Sequence, residues 1–161
     1  MNDQKTIKSF KVRGIDGKEI DFASFGNKKI MIVNVASECG FTSQYQQLQE
    51  LYNHFESNLV IIGCPCNDFG NQEPGDEKSI TLFCEKNYGV TFPLTEKISI
   101  TGKEVHPLYK WLTNKSENGV MDSEVSWNFQ KYLLDENGHL EKVLPPSTLP
   151  IDPEVLDWLA G

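Results

Sequence analysis

Two apolar runs, "KIMIVNVA" (29–36) and "NLVIIGC" (58–64), bracket a stretch of helical periodicity, and this arrangement restricts the fold more than any other feature. Both runs are continuous rather than alternating, the pattern of strands buried on both faces, which points to parallel neighbours at the centre of a sheet. Between them Tyr45, Leu48, Leu51, Tyr52 and Phe55 recur at helical spacing, and Ser43 with Gln46 has the spacing of a capping box. Strand, helix and strand make one βαβ unit.

The remaining elements are arranged around that unit. "SFKVRGIDGKEIDF" reads as two short strands about Gly14–Gly17, an N-terminal hairpin. After the polar loop "CNDFGNQEPGDEK", a helix is expected from about Ser79 to Tyr88, with Ile80, Phe83 and Cys84 on its apolar face and Gly89 as its stop. "HPLYKWLTN" is a short helix with proline in its first turn. "NFQKYLLD" and "HLEKVLP" flank Asn137-Gly138, the signature of a type I′ hairpin, and "PEVLDWLAG" is a terminal amphipathic stretch. The order is that of an α/β, thioredoxin-like fold, with an N-terminal β-hairpin, an inserted helix and a central mixed sheet flanked by helices.

A length of 161 residues without repeats or linkers suits a single domain, 1–161. A net charge of -8 argues against nucleic acid as a partner, because phosphate recognition needs clustered Lys and Arg. "MNDQKTIKSF" lacks the apolar segment of a signal peptide, and no apolar run is long enough to span a bilayer. The expectation is a cytoplasmic protein without stable membrane insertion. In that compartment the four cysteines are reduced at rest, so they are inert, metal-binding or catalytic rather than a disulfide framework. His54, His106 and His139 do not stand at zinc-ligand spacing from a cysteine pair, and Cys64-x-Cys66 is weak evidence; no metal or cofactor is expected.

Cys39 stands where the first strand hands over to the helix, a place where backbone N–H groups point outward and favour negative charge. In "CGFT" the position of a second redox thiol is taken by Thr42, so dithiol exchange cannot run within the motif. Lys, Arg and His are absent from its neighbourhood in the chain, so neutral donors must stabilise a thiolate. Gln72 in the polar loop and the pair Trp127-Asn128 before the late strand supply such N–H groups.

"NVASECGFTSQYQQLQELY", "GCPCNDFGNQEPG" and "WNFQKYLLD" resemble, in order and spacing, the three signature segments of the glutathione peroxidase family. The resemblance implies a cysteine-type peroxidase with Cys39 as the peroxidatic residue and Gln72, Trp127 and Asn128 as its active-site companions. The thiolate would attack a hydroperoxide and become a sulfenic acid. Cys84, in "FCEKNYGVTFP", resembles the resolving cysteine of thioredoxin-dependent members, and Cys64 and Cys66 read as structural. Because Cys84 is on a packed helix face, resolution requires that helix to open. The short connection between Thr101 and Trp127 resembles the phospholipid-hydroperoxide type and implies a monomer or weak dimer with a shallow site open to bulky peroxides. Val143 and Leu149 stand where relatives often carry basic residues, which favours thioredoxin over glutathione as reductant, although Lys131 and Lys142 remain. Two rival readings use the same thiol or none. One is a peroxide sensor relaying its disulfide to a client, the other a non-enzymatic binding module. A peroxiredoxin is disfavoured, since Ala36 stands where that family places threonine.

Overall fold

The computed structural model describes residues 6–161. Strands β1 (Lys11–Arg13) and β2 (Glu19–Asp21) pair antiparallel as a separate two-stranded hairpin. The central sheet contains β3 (Lys29–Val35), β4 (Leu59–Pro65), β5 (Lys131–Leu134) and β6 (Leu140–Leu144) in the order β4-β3-β5-β6. β3 runs parallel to β4, with Met31 opposite Ile61, and antiparallel to β5, with Met31 opposite Leu133. Every residue of β3 and β4 is buried, as their largely apolar runs predict, with Lys29 and Asn34 of β3 buried as polar exceptions.

Both faces of the sheet are covered. On one, Ile30, Ile32, Val60 and Ile62 pack with Leu108 and Trp111 of α3 (Pro107–Thr113) and with Ile7 and Val12 at the N-terminal end. On the other, Met31, Val33 and Ile61 meet α1 (Gln44–Phe55), α2 (Glu77–Tyr88) and α5 (Pro153–Ala160). A short helix, α4 (Lys115–Asn118), follows α3. Each fully buried aliphatic side chain contributes about 1.5–3 kcal/mol by leaving water, so the alternating residues of β3 hold both layers at once.

Three local expectations are corrected. Ser43 has helical backbone angles and makes no capping hydrogen bond. Thr42 closes the preceding loop instead of capping the helix: its hydroxyl accepts the Cys39 N–H at 2.9 Å and donates to the Ala36 carbonyl at 2.8 Å. The turn at Asn137-Gly138 is not type I′, because only Gly138 has positive φ (85°) and Asn137 does not. Asp135 Oδ1 accepts the N–H groups of both Asn137 and His139, which selects a wider turn. Finally, β5 begins at Lys131 rather than at Asn128, because Phe129 adopts φ 69° and breaks the extended path. By contrast, α2 stops at Gly89 in the left-handed region, as the residue type predicts.

Candidate active site

The cysteine loop leaves the end of β3 and enters α1 through a tight turn, with the Thr42 N–H bonded to the Cys39 carbonyl at 3.0 Å. Within that turn the Phe41 N–H points at the Cys39 sulfur at 3.3 Å. The sulfur thus has a backbone N–H donor aimed at it from its own turn. Cys39 is partly exposed and the other three cysteines are buried.

A second loop, after β4, lies beside the first. The Glu38 N–H donates to the Gln72 carbonyl at 3.0 Å, and the Ser37 N–H to Glu73 Oε1 at 3.2 Å. Gln72 follows Asn71, which holds φ 53°, and a non-glycine residue in this region stores strain that the surroundings must offset. Gly70 is required by both backbone and space: its φ is 68°, and a Cβ there would lie 2.8 Å from the Trp127 ring.

The third segment hangs from Asn34. Its side-chain amide donates to the Trp127 carbonyl at 3.0 Å, its Oδ1 accepts the Gln130 N–H at 3.1 Å, and its carbonyl accepts the Phe129 N–H at 2.6 Å. Asn34 was missed as a site residue, yet it carried a signal: one fully buried amide interrupting an otherwise apolar strand. Lys97 was also missed. Its ammonium donates to the carbonyls of Glu73 and Gly75 at 3.1 and 2.7 Å, pinning the second loop, and nothing in its local sequence announces this.

Trp127 packs against Gly70 and edge-on to Phe69, with ring centroids 6.0 Å apart. Asn128 is fully buried, and its NH₂ group is committed to the Gln72 Oε1 at 3.0 Å and the Phe69 carbonyl at 3.2 Å. This refines the expectation of three equivalent donors. With both its protons committed, Asn128 orients Gln72, whose own NH₂ has no acceptor among the described residues. The structure therefore bonds Asn128 to Gln72, sets Trp127 over Gly70 of the same loop, and joins the Cys39 loop to Gln72 through Glu38.

Cys84 lies elsewhere, on the inner face of α2, buried and as a free thiol unpaired with Cys39. Burial pushes it up to about 11, with the Tyr45 hydroxyl pulling back and Glu73 and Glu85 adding to the push. Burial likewise pushes Cys64 and Cys66 up to about 12, in keeping with inert packing residues. Lys131 and Lys142 are not free cations at the site. Lys131 is buried and bonded to two carbonyls, and Lys142 pairs with Glu154 at 3.4 Å on the surface. Among the described residues no group of three His, Cys, Asp or Glu side chains could hold a metal ion, and no helix is long and apolar enough to cross a membrane.

Comparison with known proteins agrees with this geometry. Residues 7–113 match the glutathione peroxidase family. The chain is 47% identical over 146 residues to the glutathione peroxidase homolog BsaA of Bacillus subtilis, covering 90% of this chain and 91% of that one. It is 45% identical over 143 residues to the hydroperoxy fatty acid reductase gpx1 of Synechocystis, covering 85% of each. Its backbone superposes on the crystal structure of Trgpx in apo form with a TM-score of 0.74 at 31% identity, covering 98% and 97% of the two chains. A thioredoxin-family thiol:disulfide interchange protein from Chlorobium tepidum, at 18% identity and a TM-score of 0.63 over 99% of each chain, shares the thioredoxin fold alone. With a family match over residues 7–113 and relatives at 45–47% identity along most of their length, the chain belongs to the glutathione peroxidase family.

Proposed function

We propose that this protein is a thiol peroxidase, one domain over residues 1–161, that reduces hydrogen peroxide and organic or lipid hydroperoxides through Cys39. The single observation that supports this reading is the partly exposed Cys39 sulfur under the Phe41 N–H, on a loop whose Glu38 N–H is bonded to the carbonyl of Gln72, itself oriented by Asn128. The Cys39 thiolate attacks one peroxide oxygen, the O–O bond breaks, and Cys39 becomes a sulfenic acid. The departing alkoxide or hydroxide takes a proton and leaves as alcohol or water. The free NH₂ of Gln72 and the indole N–H of Trp127 serve as donors to the charge that develops on the leaving oxygen. The lipid part of this substrate range is supported by the name of the Synechocystis relative, a hydroperoxy fatty acid reductase.

For the reset, Cys84 displaces the hydroxyl of the Cys39 sulfenic acid, giving a disulfide and water, and thioredoxin then reduces the disulfide. Capture of Lys131 and Lys142 by other partners leaves little positive charge for the carboxylates of glutathione. A second reading has its own observation: Cys84 is buried and held up to about 11, a poor nucleophile in place, which suits direct reduction of the sulfenic acid by glutathione. NADPH-coupled turnover with thioredoxin and its reductase, against glutathione and its reductase, separates the two in wild type, Cys39→Ser and Cys84→Ser. The proposal expects thioredoxin-linked turnover that is lost in both variants. Glutathione-linked turnover indifferent to Cys84→Ser would establish the second reading. Fast turnover by thioredoxin alone also argues against a sensor that needs a client protein.

A further inference from the structure

One buried cation takes no part in the chemistry above. Lys131 opens β5 without solvent exposure, and its ammonium donates to the Phe129 carbonyl at 2.7 Å and the Pro146 carbonyl at 3.2 Å. Gln44, the first residue of α1, donates to the same Pro146 carbonyl at 2.9 Å. Taking an ammonium out of water without a carboxylate beside it is costly. β3 and β6 place Val33 and Leu144 opposite it, and α1 brings the amide of Gln44 and, against the Phe129 ring, the phenol of Tyr45. No carboxylate or second cation perturbs Lys131, and burial alone pulls it down to about 7.

What this ammonium holds is, with Asn71, one of two non-glycine residues of positive φ among the described residues. Phe129 has φ 69° and directly follows Asn128. Its N–H is taken by the Asn34 carbonyl and its own carbonyl by Lys131. A bulky residue persists in this region only where its flanking peptides are held from both sides.

We propose that Lys131 is a positioning residue: its ammonium clamps the Phe129 carbonyl and so fixes the left-handed turn that presents Trp127 and Asn128 to the Cys39 loop. The inference rests on the peroxidase reading of those residues. A neutral amine is a weaker donor than an ammonium, so the clamp loosens as pH rises through the titration of Lys131 and tightens below it.

The test is the single-turnover rate of Cys39 oxidation by tert-butyl hydroperoxide in wild type, Lys131→Met and Lys131→Gln, from about pH 6 to about pH 9, alongside the Trp127 indole ¹H–¹⁵N signal. Lys131→Met should be about 10- to 100-fold slower, as expected of a misplaced active-site group. It should also lose the alkaline sag that the wild type shows relative to its thiolate fraction. Lys131→Gln, which keeps a neutral donor, should recover part of the rate without the sag. A Met variant that melts earlier but keeps the wild-type rate and pH profile would overturn the inference. If neither variant folds, the wild-type indole signal decides: it must move with the same midpoint as the Lys131 Nζ, and a signal indifferent to pH would overturn the proposal. A wild-type Cys39 no faster than free cysteine toward peroxide would instead sink the functional reading, and the indole titration would still decide the role of Lys131.

Discussion

Helices α1 and α2 have the same length and lie on the same face of the sheet, yet they are held very differently. α1 buries Gln44, Tyr45, Leu48, Gln49 and Leu51, and its entrance is fixed by Thr42 and by hydrogen bonds from Gln44 to Pro146 and from Gln49 to Thr91. α2 buries only Ile80 and Cys84, and Leu82 on it is 58% exposed. One helix anchors the turn that carries Cys39, and the other carries the buried thiol that, in the proposed reset, leaves its packing to react. The better-anchored helix follows the proposed nucleophile, and the one with fewer buried side chains is the segment that the proposed reset asks to open.

The contrast is open to attack by substitution. Leu48→Ala should cost about 2–5 kcal/mol by emptying a packed site, measured by urea denaturation. Ile80→Ala should cost less because α2 can collapse or fray around the void, and amide exchange should quicken in α2 alone. Equal losses at both positions would erase the distinction. The pH dependence of disulfide closure sharpens it further. If Cys84 reacts from its buried place, closure of the oxidised Cys39 should accelerate roughly tenfold per pH unit toward 11, following the thiolate fraction. If α2 opens first, the solvated thiol titrates near its ordinary range and the rate levels off well below that, which is the expected outcome in stopped-flow measurements.

Smaller effects test the rigid side. Gly70→Ala places a methyl group 2.8 Å from the Trp127 ring at a φ of 68°. It should cost about 1–3 kcal/mol in strain and slow Cys39 oxidation, with little change in the exchange of α2. Thr42→Val removes the acceptor for the Cys39 N–H and should cost about 1 kcal/mol, the usual net worth of a hydrogen bond, with a modest decline in peroxide reactivity and none in Cys84 accessibility to thiol reagents.

The sequence was most informative where one interaction type dominates. Largely apolar runs gave β3 and β4, helical spacing gave α1, and Gly89 marked the end of α2. The place of Cys39 between strand and helix was legible because the strand and helix patterns on either side of it are both strong. Ser43 misled because Thr42, one residue earlier, could bond back to Ala36 and reach the Cys39 N–H, a choice settled by the loop rather than by the motif. The Asn137-Gly138 pair misled because Asp135 supplied a side-chain acceptor for two N–H groups. The task of Asn128 could not be read, since its donors are committed only once the loop at Phe69–Gln72 is folded beside it. The burial of Lys131 was equally invisible, because a lysine in an amphipathic-looking strand reads as solvated until β3 and β6 are known to flank it.

The suspension of Trp127 and Gln130 from Asn34 also sets a timetable. Cys39 and Gln72 belong to the first half of the chain and Trp127-Asn128 to the last third, so during synthesis the thiol emerges long before its companions. Until β5 docks antiparallel on β3, the emerging polypeptide carries its cysteine without the Trp127-Asn128 pair, which closure of that long-range strand pair brings to the loops of the first half. Peroxide reactivity thereby becomes a proofreading mark of the finished molecule: a chain arrested before β5 lacks the companions of its thiol.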